Sequence, residues 1–386
     1  MMFNIKVNIL DLKNIVSKLN LAIEKTKINP KSGWIELELI GDKLSFKVAN
    51  YDYYLEAIIN SENNLNNLFH VTISADTFIP LVSKLDDDYV YISEKFNVVT
   101  FTTNSNEYTF PTIKEFGYVK TVDKIDFKSK DTNSSFNLTG SNLASIAEFN
   151  AKGLVDSIVS KEIQQFIYVD KIGAITFTEN VYINSFSQQV NSYNDAKFLL
   201  NCTQAKLLKV FDCFDSVHID TEMFSNESSK KVKFSASDSN CSINLVLVVQ
   251  CDDLTDTFPE IKLRSIAKSV NDTHIIIDKR LLDKALSRLM VFDKKWDITI
   301  LDYSKICFGK DSMKLVSIKN KNYEKIEYIS KQNSFEHESI IRFADLVAQL
   351  KAIRAKEIDI SYGESAISIN SGNFMQLIPE IKTYEV

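Results

Sequence analysis

Glycine and proline are scarce in this chain. Nine Gly and five Pro in 386 residues leave little room for flexible linkers, collagen-like tracts or glycine-rich phosphate loops. No P-loop pattern, no GxGxxG after a strand and no HExxH occurs, so the common nucleotide and zinc-hydrolase signatures are missing. The four histidines, His70, His218, His274 and His337, share no spacing and read as surface or strand-edge residues rather than metal ligands. Asp86-Asp87-Asp88 and Asp252-Asp253 read as solvated acidic turns. Five cysteines without a CxxC pair point to reduced thiols and a cytoplasmic setting. The longest apolar run, Ile243 to Val249, is too short to span a bilayer. Met1 to Lys6 reads as a strand and carries no signal-peptide pattern. These absences move the weight from catalysis, metals and cofactors toward binding or scaffolding.

What is present is repetition. Ile73-Ser74-Ala75-Asp76, Leu200-Asn201-Cys202-Thr203 and Ile341-Arg342-Phe343-Ala344 each end a strand-like run. A helix-like segment follows each, marked by Leu81/Leu85, Leu207/Leu208 and Leu346/Leu350. Alternating strands come next at Val90-Tyr91-Ile92, Val217-His218-Ile219 and Ile358-Asp359-Ile360. A second set of positions repeats as well. Val7, Leu138 and Ile277 close strands, and Leu12, Leu143 and Leu282 open apolar helical stripes five residues later. The chain is a pseudo-symmetric object with three copies of two half-units.

Polar connectors at Lys120–Ser135 and Leu263–Thr273 divide the copies. The expected domains are 1–125, 130–260 and 270–386. Trp34–Leu39, Lys43–Val48, Val98–Thr102, Phe166–Val169, Ala174–Phe177, Val232–Ser235 and Ile367–Ile369 alternate with period two, as half-buried antiparallel strands do. The class is therefore α+β with antiparallel sheets, two helices interrupting the strands of each copy.

Charge is sorted by element. The chain as a whole carries 45 basic and 51 acidic residues, net −6. The six repeat helices, taken as Asp11–Lys27, Asp76–Asp86, Thr139–Gly153, Cys202–Asp212, Asp278–Lys295 and Phe343–Glu357, hold 17 of the basic but only 11 of the acidic residues. A net-positive helical set on an acidic chain suits sequence-independent, salt-sensitive contact with a polyanion.

Three copies of paired half-units, this length and this charge sorting resemble the bacterial-type DNA polymerase sliding clamp, the β clamp. The resemblance spans the whole chain and rests on the order of elements more than on identities. It implies three domains of two βαβββ half-units each, with antiparallel sheets outside and helices around a central hole. It implies a head-to-tail homodimeric ring around double-stranded DNA, with no catalytic residue, metal or cofactor.

Local matches carry site residues over. The Lys25-Thr26-Lys27-Ile28-Asn29-Pro30 segment resembles a DNA-touching loop of the family, which implicates Lys25 and Lys27. Lys279, Arg280, Lys284 and Arg288 share one helix, the last three on one face by their spacing of four. Lys351 and Arg354 on the last helix, and Lys206 and Lys209 in the second copy, complete the expected DNA contacts. Thr178-Glu179-Asn180-Val181-Tyr182-Ile183, Phe258-Pro259-Glu260-Ile261 and Leu377-Ile378-Pro379 resemble the family's client-peptide site. Ile163, Thr178, Ile183, Pro259, Leu263, Leu377, Ile378 and Pro379 are the expected lining, and the replicative polymerase and the clamp loader are the expected clients. Tyr108-Thr109-Phe110 and Val291-Phe292 resemble the two sides of the ring seam, with Tyr108, Phe110, Val291 and Phe292 as contacts. A β-rich structural or virion protein is the alternative, and it would need neither positive helices nor an apolar C-terminal pocket. An unfamiliar hydrolase is a third reading, opposed by the lack of clustered acid, base or nucleophile motifs.

Overall fold

Among the described residues, the run of strand, helix and three strands occurs six times. In the computed structural model the described residues are 5–24, 30–64, 69–115, 118–127, 135–151, 154, 162–177, 182–185, 196–222, 229–250, 253–268, 273–293, 304–317, 321–351, 353–363, 366–372 and 374–380. The first copy opens with β1 (Ile5–Asn8), α1 (Ile9–Ala22), β2 (Trp34–Ile40), β3 (Lys43–Ala49) and β4 (Tyr53–Asn60). After the short β5 (Glu62–Asn63) come β6 (His70–Ser74), α2 (Ala75–Val82), β7 (Tyr89–Lys95), β8 (Val98–Thr102) and β9 (Glu107–Pro111). The short β10 (Lys114–Glu115) and β11 (Tyr118–Val119) lead into the first connector.

The second copy has β12 (Ser135–Leu138), α3 (Gly140–Ser145) with a π turn over Ile146–Asn150, β13 (Ile167–Asp170), β14 (Ala174–Phe177) and β15 (Tyr182–Ser185). It continues with β16 (Lys197–Leu200), α4 (Cys202–Leu207) with a 3-10 turn over Leu208–Phe211, β17 (Val217–Thr221), β18 (Ser229–Ser237) and β19 (Cys241–Gln250). Two helices follow, α5 (Asp253–Thr257) and α6 (Glu260–Lys268). The third copy has β20 (His274–Asp278), α7 (Lys279–Asp293), β21 (Ser304–Phe308), β22 (Ser312–Ser317) and β23 (Tyr323–Glu327). After β24 (Ser330–Gln332) it ends with β25 (His337–Ile341), α8 (Phe343–Leu350), β26 (Glu357–Tyr362), β27 (Ala366–Ser371) and β28 (Phe374–Pro379).

The expected strands and all six repeat helices are found, though the helices are shorter than the sequence pattern implies. One expectation fails. The second connector, Leu263–Thr273, is helical over its first residues, Leu263–Lys268, which end α6. Pro259 stands just before α6, and the Leu263 amide donates to its carbonyl at 3.0 Å. A proline before a helix fixes φ without losing an intrahelical bond, so it marks the start of α6 rather than a loop.

The same capping chemistry starts the first helix of every copy. Asn8 accepts from the amides of Leu10 and Asp11 at 2.8 and 3.3 Å. Thr139 accepts from Asn142 at 3.2 Å, and Asp278 from Arg280 and Leu281 at 2.7 and 3.3 Å. Each satisfies helix-end amides that otherwise lack partners. Beyond the cap, α1 buries Ile9, Leu12, Ile15, Val16, Leu19 and Ala22 on one side, the stripe a 3.6-residue period requires.

The backbone forms two compact units. One holds Met1–Ala144, Asn191–Phe198 and Thr203–Asp252. Within it β1 pairs antiparallel with β7, Val7 opposite Val90, and β12 with β17, Leu138 opposite Val217. Its central event is the pairing of β4 with β19, from Tyr53–Leu247 to Ile59–Cys241. Over that pairing lie the connector residues Val122, Ile125 and Phe127, packed with Tyr54 and Val246.

The other unit holds Ser145–Val190, Leu199–Cys202 and Asp253–Val386. Here β20 pairs with β26, Ile277 opposite Ile358. β15 pairs with β28, Tyr182 opposite Leu377 through Ser185 opposite Phe374. Its main core gathers Ile275, Ile277, Leu282, Leu286, Leu315, Ile341, Leu346 and Ile369.

Scarce glycine is spent where it is needed. A Cβ on Gly140 would stand 1.8 Å from the Phe211 carbonyl oxygen and 2.7 Å from that of Phe214. The Gly140 amide donates to the Phe214 carbonyl at 2.8 Å. Because the obstacle is backbone, it cannot rotate away. Gly140→Ala is expected to cost at least about 2 kcal/mol of stability, read as a lower urea midpoint with an unchanged slope. An unaltered midpoint would show that the approach is looser than described.

Candidate functional site

Lys206 on α4, Lys209 on the 3-10 turn after it, and Arg280 and Lys284 on α7 are exposed. Lys351, just past α8, is exposed too. Lys279, Arg288 and Arg354 are held by acids. Lys279 donates to Asp283 at 2.6 Å. Arg288 forks onto Glu324 of β23, Nε to Oε1 at 2.6 Å and Nη2 to Oε2 at 2.7 Å. That hydrogen bond from Arg288 holds the Glu324 carboxyl below the usual carboxylate range. Arg354 donates to Glu148 at 2.6 Å. Lys25 and Lys27 lie outside the described residues.

Sequence reasoning missed Lys18. It is 7% exposed, and its ammonium donates to the Val210 carbonyl at 2.7 Å and to Cys213 Sγ at 3.2 Å. The Phe214 ring lies 5.2 Å away beneath it. The signal was its spacing: Lys18 stands three residues after Ile15 and four before Ala22 on α1, within the buried stripe. Beside it opens a cleft of about 470 Å3 lined by Asn14, Ser17, Lys18, Leu21, Lys209, Asp212 and Cys213.

The expected peptide pocket is partly assembled. Ile163, Leu263 and Leu377 join one apolar cluster with Tyr168, Ile175, Phe177 and Phe258. Phe258 stacks on Tyr168 at 4.8 Å and meets Phe177 edge-on at 5.4 Å. Burial pushes the Tyr168 hydroxyl above its usual pKa. Arg264 of α6 reaches both oxygens of Asp170 at 2.9 Å and so ties α6 to the β13–β14 hairpin. Pro259 is half-buried and borders an adjoining cleft of about 580 Å3, which Ile261 and Ile266 also line. Ile261 is 79% exposed.

Ile183 and Ile378 are elsewhere. Both are buried in the core with Ile275 and Leu286, on the opposite face of the sheet from Leu377. Adjacent strand residues point to opposite faces, so Leu377 and Ile378 cannot line one pocket. Pro379 is half-buried at the end of β28. Thr178 and Lys382–Val386 lie outside the described residues.

The expected seam residues also divide. Among the described residues, β9 and β23 each end their sheets with one neighbour, in the orders β5-β1-β7-β8-β9 and β23-β22-β21-β25. Tyr108 is half-buried and Val291 is 65% exposed. Phe110 is only 5% exposed, packed on Phe101 at 5.3 Å and Phe78 at 5.9 Å. The Phe292 side chain lies outside the described residues.

The histidines are each occupied by an acid. His70 meets Glu36 at 3.0 Å, His218 meets Asp220 at 3.1 Å, His274 meets Asp359 at 2.9 Å and His337 meets Glu380 at 2.7 Å. Among the described residues, no three His, Cys, Asp or Glu side chains cluster as metal ligands.

No protein-family model matches the chain, and no curated protein matches it by sequence. Solved structures do match by fold. The DNA polymerase III beta subunit of Thermotoga maritima superposes with a TM-score of 0.72 over 99% of this chain and 100% of that one, at 15% identity. The beta subunit from DNA polymerase of Streptococcus pyogenes gives 0.72 over 98% and 100%, also at 15% identity. The DNA polymerase sliding clamp from Bacillus subtilis gives 0.68 over 99% and 100%, again at 15%. The chain has the α+β fold of these clamps over 98–99% of its length.

Burial of Phe110 decides how the seam can be tested. Phe110→Asp places a charge inside the Phe78–Phe101 cluster, at a cost of several kcal/mol. It is expected to unfold the first copy, seen as lost near-ultraviolet dichroism, rather than to yield a folded monomer. A folded, fully cooperative Phe110→Asp protein would contradict this packing.

Proposed function

We propose that this chain is a DNA polymerase processivity factor: a sliding clamp that encircles duplex DNA and tethers the replicative polymerase. The observation that carries the reading is the fold match to sliding clamps over 98–99% of this chain. The threefold recurrence of the half-unit pair supports a reading of three clamp domains, 1–125, 130–260 and 270–386. Two chains close head to tail into a ring, β9 of each adding to β23 of the other. The rule for that pairing is already written twice within the chain. The last strand of a copy's first half-unit pairs with the last strand of the next copy's second half-unit, as β4 with β19 and β15 with β28. β23 and β9 are the two such strands left over.

The clamp needs no catalytic group, metal or cofactor. Topology holds the polymerase on DNA, so phosphate contacts stay weak and sliding stays fast. Arg280, Lys284, Lys206, Lys209 and Lys351 supply those contacts, joined by Lys25 and Lys27. Clients, among them the polymerase and the clamp loader, dock a short apolar peptide beside Ile163, Pro259, Leu263 and Leu377, with Thr178 and Pro379 at its rim. An apolar groove with few polar groups suits such a peptide. The full-length match leaves the alternative of a β-rich virion protein without support. A cytoplasmic location follows from the role in replication.

Two experiments test the reading. Size-exclusion chromatography with light scattering should give a dimer, and the loaded protein should stay on nicked circular DNA but slide off the same DNA once linearised. Binding to linear duplex should be weak, indifferent to sequence and lost as salt rises. Arg280→Glu with Lys284→Glu should weaken it further and flatten the salt dependence by roughly one to two ions. Tight, sequence-specific binding to a linear duplex would sink the clamp.

Leu263→Ala should weaken a polymerase-derived peptide roughly tenfold in calorimetry, with the dimer intact. Removing Lys382–Val386 tells whether that tail competes with the peptide or helps hold it, by tighter or weaker binding. Unchanged affinity in Leu263→Ala would place the client site elsewhere.

A further inference from the structure

The repeats share a residue frame, fixed by backbone pairing. Val7 faces Val90, Leu138 faces Val217 and Ile277 faces Ile358. Lys18 lies eleven residues past Val7, and Arg288 lies eleven past Ile277. Asp86, Cys213 and Arg354 each lie four residues before Val90, Val217 and Ile358. Glu148 lies ten past Leu138, one position earlier, on the segment that passes into a π turn.

Where two copies meet within the chain, these positions touch. Lys18 of the first copy meets Cys213 of the second at 3.2 Å. Glu148 of the second copy meets Arg354 of the third at 2.6 Å. Both contacts accompany the strand pairings β4–β19 and β15–β28. One further combination of these positions exists: Arg288 after β20 and Asp86 before β7.

We infer that Arg288 of one chain forms an ion pair with Asp86 of a second, identical chain at each head-to-tail joint. The inference rests on the ring reading above and names the side chains that fix its register on the helix side of the sheets. The charges are complementary, Arg against Asp, and both side chains are accessible, at 59% and 95%. Arg288 spends two of its five N–H donors on Glu324, which leaves donors for a second carboxylate. Asp86 already has Lys13 at 3.3 Å. The joint thus lines up Glu324, Arg288, Asp86 and Lys13, alternating in sign, and a network of this kind holds better than an isolated exposed pair. Arg288 thereby leaves the set of DNA contacts that its helix spacing suggested.

The test is a charge swap read by sedimentation equilibrium. A ring has two such joints, so each substitution acts twice. Arg288→Glu alone and Asp86→Arg alone should each raise the dimer dissociation constant at least about tenfold. The double variant, carrying both, should return to within about threefold of the wild type, since both joints regain opposite charges. Thermal unfolding at low protein concentration checks that each variant keeps its monomer fold. Single variants without effect, or a double variant as weak as the two losses combined, overturn the pair while leaving the dimer standing. A wild-type protein that is monomeric at micromolar concentration overturns the ring and the pair together.

Discussion

A half-unit of this fold cannot stand alone, because its last strand presents a row of unpaired amides and carbonyls along a sheet edge. Such an edge invites uncontrolled pairing unless something covers it. Here the cover is another half-unit. β4 takes β19 over seven residue pairs, and β15 takes β28 over four. Everything else is arranged around those two events. The first helix of each copy is capped at the same position by Asn8, Thr139 or Asp278, so the strands after it arrive in comparable places. Connector residues then pack over the paired strands: Val122, Ile125 and Phe127 over Tyr54 and Val246, Phe258 and Leu263 against Leu377 and Tyr168.

The same constraint sorts the cations. Several lysines and arginines on or beside these helices reach partners, on their own helix or on a neighbouring element. Lys18 is the extreme case: a nearly buried ammonium whose hydrogen bonds go to a carbonyl and a thiol rather than to a carboxylate. Burying a charge is tolerable only with such partners. Arg354 and Arg288 are held by Glu148 and Glu324. Arg280, Lys284, Lys206 and Lys351 stay exposed. Net positive charge on the helices therefore overstates the charge available to a polyanion, since part of it is spent inside the protein.

Much of the fold was legible because it is periodic. Val98–Thr102 alternates cleanly and is a strand over those same residues, and Ala174–Phe177 is a strand as expected although three of its four residues are buried. The threefold recurrence of Val7, Leu138 and Ile277 is a recurrence of backbone pairing. The site was less legible, for three physical reasons. Both faces of β28 are buried, so Leu377 and Ile378 read alike in sequence although they face opposite ways. Burial on both faces erases the alternation that would tell them apart. Pro259 signals a break, and the sequence does not say whether a loop or a helix follows; the amphipathic run after it decides for α6. Which acid reaches which cation depends on tertiary approach, which is why Arg288 looked like a DNA contact from its spacing on α7.

In the proposed ring, the joints are not equal. Those within the chain combine strand pairing, a side-chain contact between helices and a covalent connector packed over the sheet. The joint between chains has no connector. It must rely on the β9 and β23 edges, on whatever Val291 and Tyr108 bury, and on charges. Tethered partners meet at high effective concentration, whereas separate chains also lose translational and rotational freedom on meeting. On the ring reading, the inter-chain joint is therefore the weaker one. Its charged groups lie near the surface, where salt weakens them. A clamp built this way opens at its joint before any of its domains unfold.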